Sequence, residues 1–170
     1  MRIAHRLAHA IDFLVCKVPG GIAALQGKIH RPTDEDIREA LESECEIGDL
    51  VHVSRSLDMD ALHRKAARFL SFEADLNAVP WAVIVSTVQG MMNDESGGMA
   101  QDMKIYFEHA AKIYATGWIG RSGSVSILDS MAKKYGVSRQ TITRRAAKMP
   151  EVIARLALSG IYCDVELGKT

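Results

Sequence analysis

Apolar residues recur every three or four positions along most of this chain, and no other feature of the sequence constrains its fold as strongly. One face of an α-helix repeats about every 3.6 residues, so this spacing buries one stripe of each segment and leaves the opposite side polar. We therefore expect an all-α or mostly α protein. The recurring residues are Ile3, Leu7, Ala10, Ile11 and Leu14, then Ile37, Ala40 and Leu41, then Leu62, Ala66, Phe69 and Leu70, and finally Met103, Ile105, Tyr106, Ala110, Ile113 and Tyr114.

Glycine, proline and capping residues separate these helical segments. Pro19-Gly20-Gly21 is a strong breaker after the first segment. Thr33, with Asp36 three residues later, is typical of a helix N-terminus. The clearest loop is residues 93–98, which are polar and rich in glycine.

The glycine-punctuated segment 116–123 is the preferred boundary between two modules. We predict a helical body over residues 1–118, which serves oligomerisation or partner binding. A smaller DNA-binding module is predicted over residues 119–170.

Three segments leave the local structure partly open. Trp81 to Met92 follows Pro80 and fits either a largely buried helix or a central strand. Leu50 to Val53 fits either a short helix or an extended chain. From Ile161 to Leu167 apolar and polar residues alternate, which predicts a short C-terminal strand.

Charge is distributed unevenly along the chain. The 170 residues are 48% hydrophobic and 25% charged, which is typical of a folded protein with one or two units. The formal net charge is zero, but residues 1–120 hold 12 Lys/Arg and 17 Asp/Glu, whereas residues 121–170 hold 9 and 4. The basic last third is therefore the candidate surface for a polyanion.

The cysteines and the apolar runs predict a cytoplasmic protein. Cys16, Cys45 and Cys163 are far apart and form no CxxC motif, and an odd number of cysteines suits a reducing compartment. Polar residues interrupt the apolar stretch at the N-terminus, so no signal peptide is predicted. The most apolar run, residues 79–88, is about half as long as a membrane-spanning helix, and membrane insertion is not expected.

The segment from Ser126 to Met149 predicts two short helices joined by a tight turn. Ser126 is the expected N-cap of the first helix, with Asp129 three residues on. Gly136 is expected to end that helix, because glycine takes the left-handed conformation without steric cost, and Val137 would fill the angle between the helices. The predicted buried face of the first helix is Leu128, Met131, Ala132 and Tyr135.

The second helix of this segment is predicted to begin after Ser138 as its N-cap. Ile142, Ala146 and Met149 are spaced to face the first helix, and Pro150 is expected to end the second one. The opposite face carries side chains that can donate to guanine, pair with adenine or reach phosphates. These are Arg139, Gln140, Thr143 and Arg144, with Ala147 among them.

The run from Ala132 to Arg144 resembles the helix-turn-helix of bacterial and phage regulators and of DNA-invertase-type recombinases. The resemblance extends over residues 126–149 only. The resemblance implies that the second helix is a recognition helix for the major groove of double-stranded DNA. Arg145 departs from the family, which usually has an apolar residue there, and Ala146 is expected to take over that packing. The positions matching the family's DNA-facing ones are Ser138, Arg139, Gln140, Thr143 and Arg144.

An ordinary helical hairpin with a solvated basic face is the alternative for this segment. We favour DNA binding because a small residue, a glycine turn, a cap and a basic outer face occur together. Contacts to phosphates, which position a protein without reading sequence, are then expected from Lys133, Lys134, Arg145 and Lys148, and also from Arg121.

Two further groups of residues each allow a functional interpretation and a purely structural one. His5, His9 and Asp12 share one helical face and have metal-ligand spacing, but the same side is more simply the solvated face of the first helix. The acidic run 34–49, with eight acids and one base, fits a solvated face. It also fits a surface that meets a basic partner or folds over Arg144 as an inhibitor.

Residues 52–65 resemble a second helix-turn-helix superficially, but the turn lacks a glycine and the spacing is short, so a plain helix pair is favoured. No nucleophile elbow, phosphate-binding glycine loop, HExxH motif or CxxC pair is found, and neither an enzyme nor a cofactor is predicted.

The sequence therefore predicts a sequence-specific transcriptional regulator, of the type found in phages and mobile elements, that binds double-stranded DNA as a homodimer or higher homo-oligomer. A DNA packaging or partition component, and a helical protein that binds only another protein, are the alternatives. The DNA target and any small-molecule effector stay unknown. A buried core is the favoured interpretation of a set of large apolar residues that are also candidates for the interface between copies: Met91, Met92, Met99, Met103, Trp81 and Trp118.

Overall fold

A computed structural model describes residues 2–49, 59–114 and 121–162, with side chains over the same ranges except 44–49, 59–61, 114 and 121–124. These ranges hold eight helices and no strand, so the predicted all-α class is confirmed. The helices are α1 (Arg2–Lys17), α2 (Gly21–Leu25), α3 (Asp34–Asp49), α4 (Met59–Leu76), α5 (Trp81–Asn93), α6 (Met99–Tyr114), α7 (Arg121–Tyr135) and α8 (Arg139–Ser159).

The main core forms around α1 and α8. Leu7, Ile11 and Leu14 on α1 are fully buried, as their spacing predicts, whereas Ile3 at the start of the same stripe is 59% exposed. α8 packs most extensively against α1 and α6, and it also contacts α5 and α7. The C-terminal helix therefore holds together elements that are far apart in the sequence.

The predicted start of α3 is confirmed by a reciprocal cap. The Asp36 backbone N–H donates to Thr33 Oγ1 at 3.2 Å, and the Thr33 backbone N–H donates to the Asp36 carboxylate at 3.0 Å. The Thr33 hydroxyl also donates to the Asp36 carboxylate at 2.7 Å, and this bond, together with the one from the Thr33 backbone N–H, lowers the pKa of Asp36. The cap satisfies backbone donors that the first turn of a helix leaves without partners.

Residues 81–92 are helical, which settles the choice between helix and strand. Pro80 is the N-cap of α5, where its missing N–H costs no hydrogen bond. Ile84, Val88 and Met91 are fully buried, and the buried Thr87 hydroxyl donates to the Val83 carbonyl at 2.7 Å. α5 is thus a core helix, as its mostly apolar sequence suggests.

The predicted start of α7 and the predicted end of α8 are wrong. α7 begins at Arg121, so Ser126 lies inside a helix and the end of the predicted 116–123 linker is helical. α8 passes through Pro150 and ends only at Ser159, followed by Gly160 in the left-handed conformation. Pro150, Ile153 and Ala157 are all buried, and this packing keeps the chain helical beyond a residue that normally interrupts a helix.

The chain after α8 turns back towards α5. The Tyr162 hydroxyl donates to the Asp94 carboxylate at 2.7 Å. Most of the predicted C-terminal strand, the preferred boundary at residue 118 and the helix-or-extended segment 50–53 lie outside the described residues. Half of the superficial second helix-turn-helix, residues 52–58, lies outside them too, and residues 59–65 are the start of α4.

Of the candidate interface methionines, Met91 and Met103 are fully buried in the main core, while Met92 and Met99 are half-buried against it. Trp81 is also half-buried, and Trp118 lies outside the described residues. None of the helices in the described part of the chain is long and apolar enough to span a bilayer.

Candidate nucleic-acid interface

The connection between α7 and α8 is three residues long. Gly136 has φ 66°, the left-handed conformation that its position after a helix predicts. The Val137 backbone N–H donates to the Ala132 carbonyl at 3.1 Å, which closes the last turn of α7. Val137 itself packs, half-buried, against the small core between the two helices.

Ser138 caps α8 as predicted. Its hydroxyl accepts a hydrogen bond from the Thr141 backbone N–H at 3.1 Å and also contacts the Thr141 hydroxyl at 2.9 Å. The hydroxyl therefore already satisfies a backbone donor in the first turn of α8. Ser138 is exposed, but a partner that used this hydroxyl would have to share it with the cap.

The inner face of the first half of α8 is buried as its spacing predicts. Ile142 packs with Met131 of α7 and Ile105 of α6 in a small core, and all three are fully buried. Ala146 and Met149 belong to the main core. Ala146 thus does the packing expected of it, while Arg145 beside it is only half-buried. The predicted inner residues of α7 that complete the small core, all half-buried, are Leu128, Ala132 and Tyr135.

The outer face of the same half is exposed. It carries one hydroxyl, one amide and two guanidinium groups within six residues. The Thr143 hydroxyl donates back to the Arg139 carbonyl at 3.2 Å, which keeps it close to the helix. An exposed ion pair joins Arg139 to Asp129 of α7 at 3.2 Å. The exposed outer residues are Arg139, Gln140, Thr143, Arg144 and Ala147, with Lys133 exposed on α7.

Asp102 of α6 holds two of the predicted phosphate-binding side chains. Its carboxylate lies 3.3 Å from Arg145 Nη1 and 2.9 Å from Lys148 Nζ, and its own side chain is only 14% exposed. Arg145 also donates to the Gln101 side chain at 3.1 Å. These contacts fix the side of α8 that turns towards α6.

Glu108, one and a half turns further along α6, holds the end of α7. It accepts hydrogen bonds from Lys134 Nζ and from the Tyr135 hydroxyl, both at 2.6 Å, and pairs with Lys112 on its own helix. Burial favours a higher pKa for Glu108, but these donors outweigh it and lower the pKa to about 2. Burial and the Glu108 carboxylate raise the pKa of Tyr135. The carboxylate is thus firmly ionised at neutral pH.

The six cations among the nine predicted site residues therefore divide into three groups, of which the first is Arg139 alone, paired with Asp129 of α7. In the described part of the chain, Lys134, Arg145 and Lys148 pair with carboxylates of α6, whereas Lys133 and Arg144 have no ion-pair partner. Sequence reasoning missed Asp102 and Glu108, because they lie more than 25 residues before their partners and no local spacing links them. The sequence signal is weak, because Asp102 and Glu108 are the two acids of a helix that also carries Lys104, His109 and Lys112.

The two other groups of residues singled out in the sequence are the set His5, His9 and Asp12 and the acidic run in α3. His5 and His9 contact each other, with 3.0 Å between their Nε2 atoms, whereas Asp12 accepts from the Tyr106 hydroxyl at 2.9 Å. The histidines are exposed, as expected for a solvated face. Among residues whose side chains are described, the acids that pair with the cations of residues 126–149 come from α6 and α7, not from the acidic run in α3.

Comparison with protein-family models, with curated proteins and with solved structures finds no match to this chain.

Proposed function

We propose that this protein binds double-stranded DNA as a sequence-specific transcriptional regulator, with the first half of α8 as its recognition helix. The observation that carries the proposal is the exposed row Arg139, Gln140, Thr143 and Arg144 on a capped helix whose opposite face is fully buried. A helix held in this way presents side chains of the right chemistry to a major groove, and its backbone loses little conformational freedom on binding.

The side chains suit different parts of a duplex. Arg144 has no ion-pair partner in the part of the chain that the structure describes, so its guanidinium is available for the two acceptors of a guanine edge. Gln140 suits adenine. Lys133 lies on the helix that would cross the backbone, where an exposed ammonium group meets phosphates. Arg145 and Lys148 are already paired with Asp102, so any contact that they made with phosphates would compete with this carboxylate.

The proposal includes self-association. One recognition helix buries too little surface for operator-level specificity, so regulators of this size commonly place two helices on successive half-sites. A homodimer is therefore the proposed binding unit. Sedimentation of the purified protein measures this directly, and a large ring instead of a dimer would favour the packaging component.

A protein-binding module is the second candidate, and one observation favours it. Three of the basic side chains are already neutralised by α6, which weakens the positive potential available to a polyanion. Titration of a random-sequence duplex at several salt concentrations separates the two candidates. DNA binding requires affinity that falls steeply with salt, and a flat response leaves the protein-binding module.

The recognition helix is tested by replacing Arg139 and Arg144 together with alanine. If each contacts a base edge, affinity for a duplex selected from a random pool falls by about tenfold or more. The matched control is Arg6→Ala with Arg155→Ala, which removes the same charge from exposed arginines paired with Asp75 and Glu151. Equal losses in both double variants would mean that the outer face of α8 has no special role.

A further inference from the structure

Arg31, in the loop between α2 and α3, holds a guanidinium group that is only partly satisfied. Its Nη1 donates to the Asn77 side chain at 3.3 Å. Its Nε and Nη2 are shielded from solvent and have no hydrogen-bond partner. The loop follows α2, which contacts α5.

A buried donor without a partner is unusual in a folded protein, and a cationic one is more costly than a neutral one. Asn77 is neutral, and no carboxylate of the described residues pairs with Arg31. The two orphan nitrogens are also not an arbitrary pair. Nε and Nη2 form one edge of the guanidinium plane, and that edge matches the two oxygens of a carboxylate in parallel hydrogen bonds.

The same arginine lines an open cleft of about 530 Å³ between the loop and the first turns of α5. This volume falls in the range of small-molecule sites. The cleft walls are mainly apolar, and the Ile29 side chain on one wall is 53% exposed. The facing wall belongs to Trp81 and Val85.

The loop is built to stay close to α5. Gly27 has φ 73°, and a Cβ on it would lie 2.5 Å from Gln89 Nε2 and 3.0 Å from Val85 Cγ1. Gln89 in turn donates to the Gln26 carbonyl at 3.2 Å. Glycine is therefore needed for the left-handed conformation at this position, and the contacts of Gly27 and Gln89 keep the loop close to α5.

We propose that this cleft binds a small carboxylate with an apolar or aromatic body, held by the Nε and Nη2 edge of Arg31. The guanidinium carbon lies 5.9 Å from the centre of the Trp81 ring. Because Nε and Nη2 are shielded from solvent in this structure, carboxylate binding includes a side-chain shift that exposes them, and we assign this shift to Trp81, which also lines the cleft. The apolar body of the ligand then packs against the Trp81 ring and Val85. The inference is independent of DNA binding, because it depends on none of the residues of the α8 surface.

The test uses phenylacetate as the probe and Trp81 as the reporter. The chain has two tryptophans, so Trp118→Phe leaves Trp81 alone. Phenylacetate should change its fluorescence with saturation, and the uncharged phenylacetamide should not. Arg31→Met should weaken phenylacetate binding by at least about tenfold, since it leaves the carboxylate without its partner. The matched control is Lys28→Met, which removes an exposed cation from the same loop.

Thermal unfolding gives a second measurement that does not need the tryptophan variant. Phenylacetate and octanoate should raise the midpoint of the unmodified protein but not that of Arg31→Met. Without ligand, Arg31→Met should be at least as stable as the unmodified protein, because it removes two shielded donors that have no hydrogen-bond partner. A clear loss of stability in this variant, or no response to either carboxylate, overturns the proposal. An equal response to inorganic phosphate overturns the assigned ligand class.

Discussion

The two halves of α8 belong to one continuous helix but have different surroundings. The half before Pro150 buries only a narrow stripe and exposes arginines, an amide and a hydroxyl. The half after it buries Ile153, Ala154 and Ala157 in the main core. The short outer surface is held firmly because the part of the helix that presents side chains is continuous with the part that the core immobilises.

Pro150 marks the division without breaking the helix. Proline removes one backbone donor and crowds the preceding turn, so it usually ends a helix in solvent. Here Met149, Pro150 and Ile153 are all buried, and tertiary packing outweighs the local penalty. A stop signal in the sequence is therefore weak where the following residues carry an apolar stripe.

The largest expected effect is on the second half of α8. Ile153→Ala should lower the free energy of unfolding by about 2–5 kcal/mol, because Ile153 is fully buried and the change leaves a cavity. Urea unfolding measures it. Leu158→Ala, at a 40% exposed position on the same half, is the control and should cost much less. Similar losses would mean that the second half is not the anchored one.

The N-cap of α8 should contribute less to the free energy of unfolding. Ser138→Ala should cost about 1 kcal/mol, because the Thr141 backbone N–H loses its acceptor. Ser126→Ala is the matched control, since Ser126 has the sequence of a cap but lies inside α7. Thermal or urea unfolding should show a loss for the first variant and none for the second, and the opposite result would place the start of the helical unit at Ser126.

A smaller effect, which depends on the proposed function, concerns the side of α8 that α6 holds. Asp102→Asn should free Arg145 and Lys148 and tighten duplex binding about fivefold at low salt. Asp75→Asn removes the same charge next to Arg6 and should change affinity little. Weaker binding by Asp102→Asn would show instead that Asp102 positions the surface.

The smallest effect is a pH dependence at the end of α7. The pKa of Glu108 is about 2 in the folded protein against an ordinary value of 4.5, so its contribution to stability is complete above pH 4.5 and is lost as the pH falls towards 2. Glu108→Gln should be less stable at neutral pH by under about 1 kcal/mol, because both lysine partners are largely exposed. Urea unfolding should show this difference vanishing in acid. A constant difference across that range would contradict the ion-pair account.

Much of the candidate surface could be predicted because its determinants are local. Gly136, Ser138 and the stripe Ile142 to Met149 act within a few residues of themselves, and the structure places each as expected. The two acids of α6 could not be predicted in the same way. Their pairing with α7 and α8 depends on how α6 crosses those helices, and nothing in the spacing of α6 encodes its partners.

Helix type, the turn at Gly136 and the exposed row on α8 are determined by the sequence itself, because periodicity and backbone conformation are properties of neighbouring residues. Only the tertiary structure decided that α8 continues past Pro150 into the main core, which cations α6 neutralises, and that two guanidinium nitrogens of Arg31 are shielded from solvent beside a cleft. These depend on contacts between distant segments, whose free energies outweigh local preferences and appear in no short pattern.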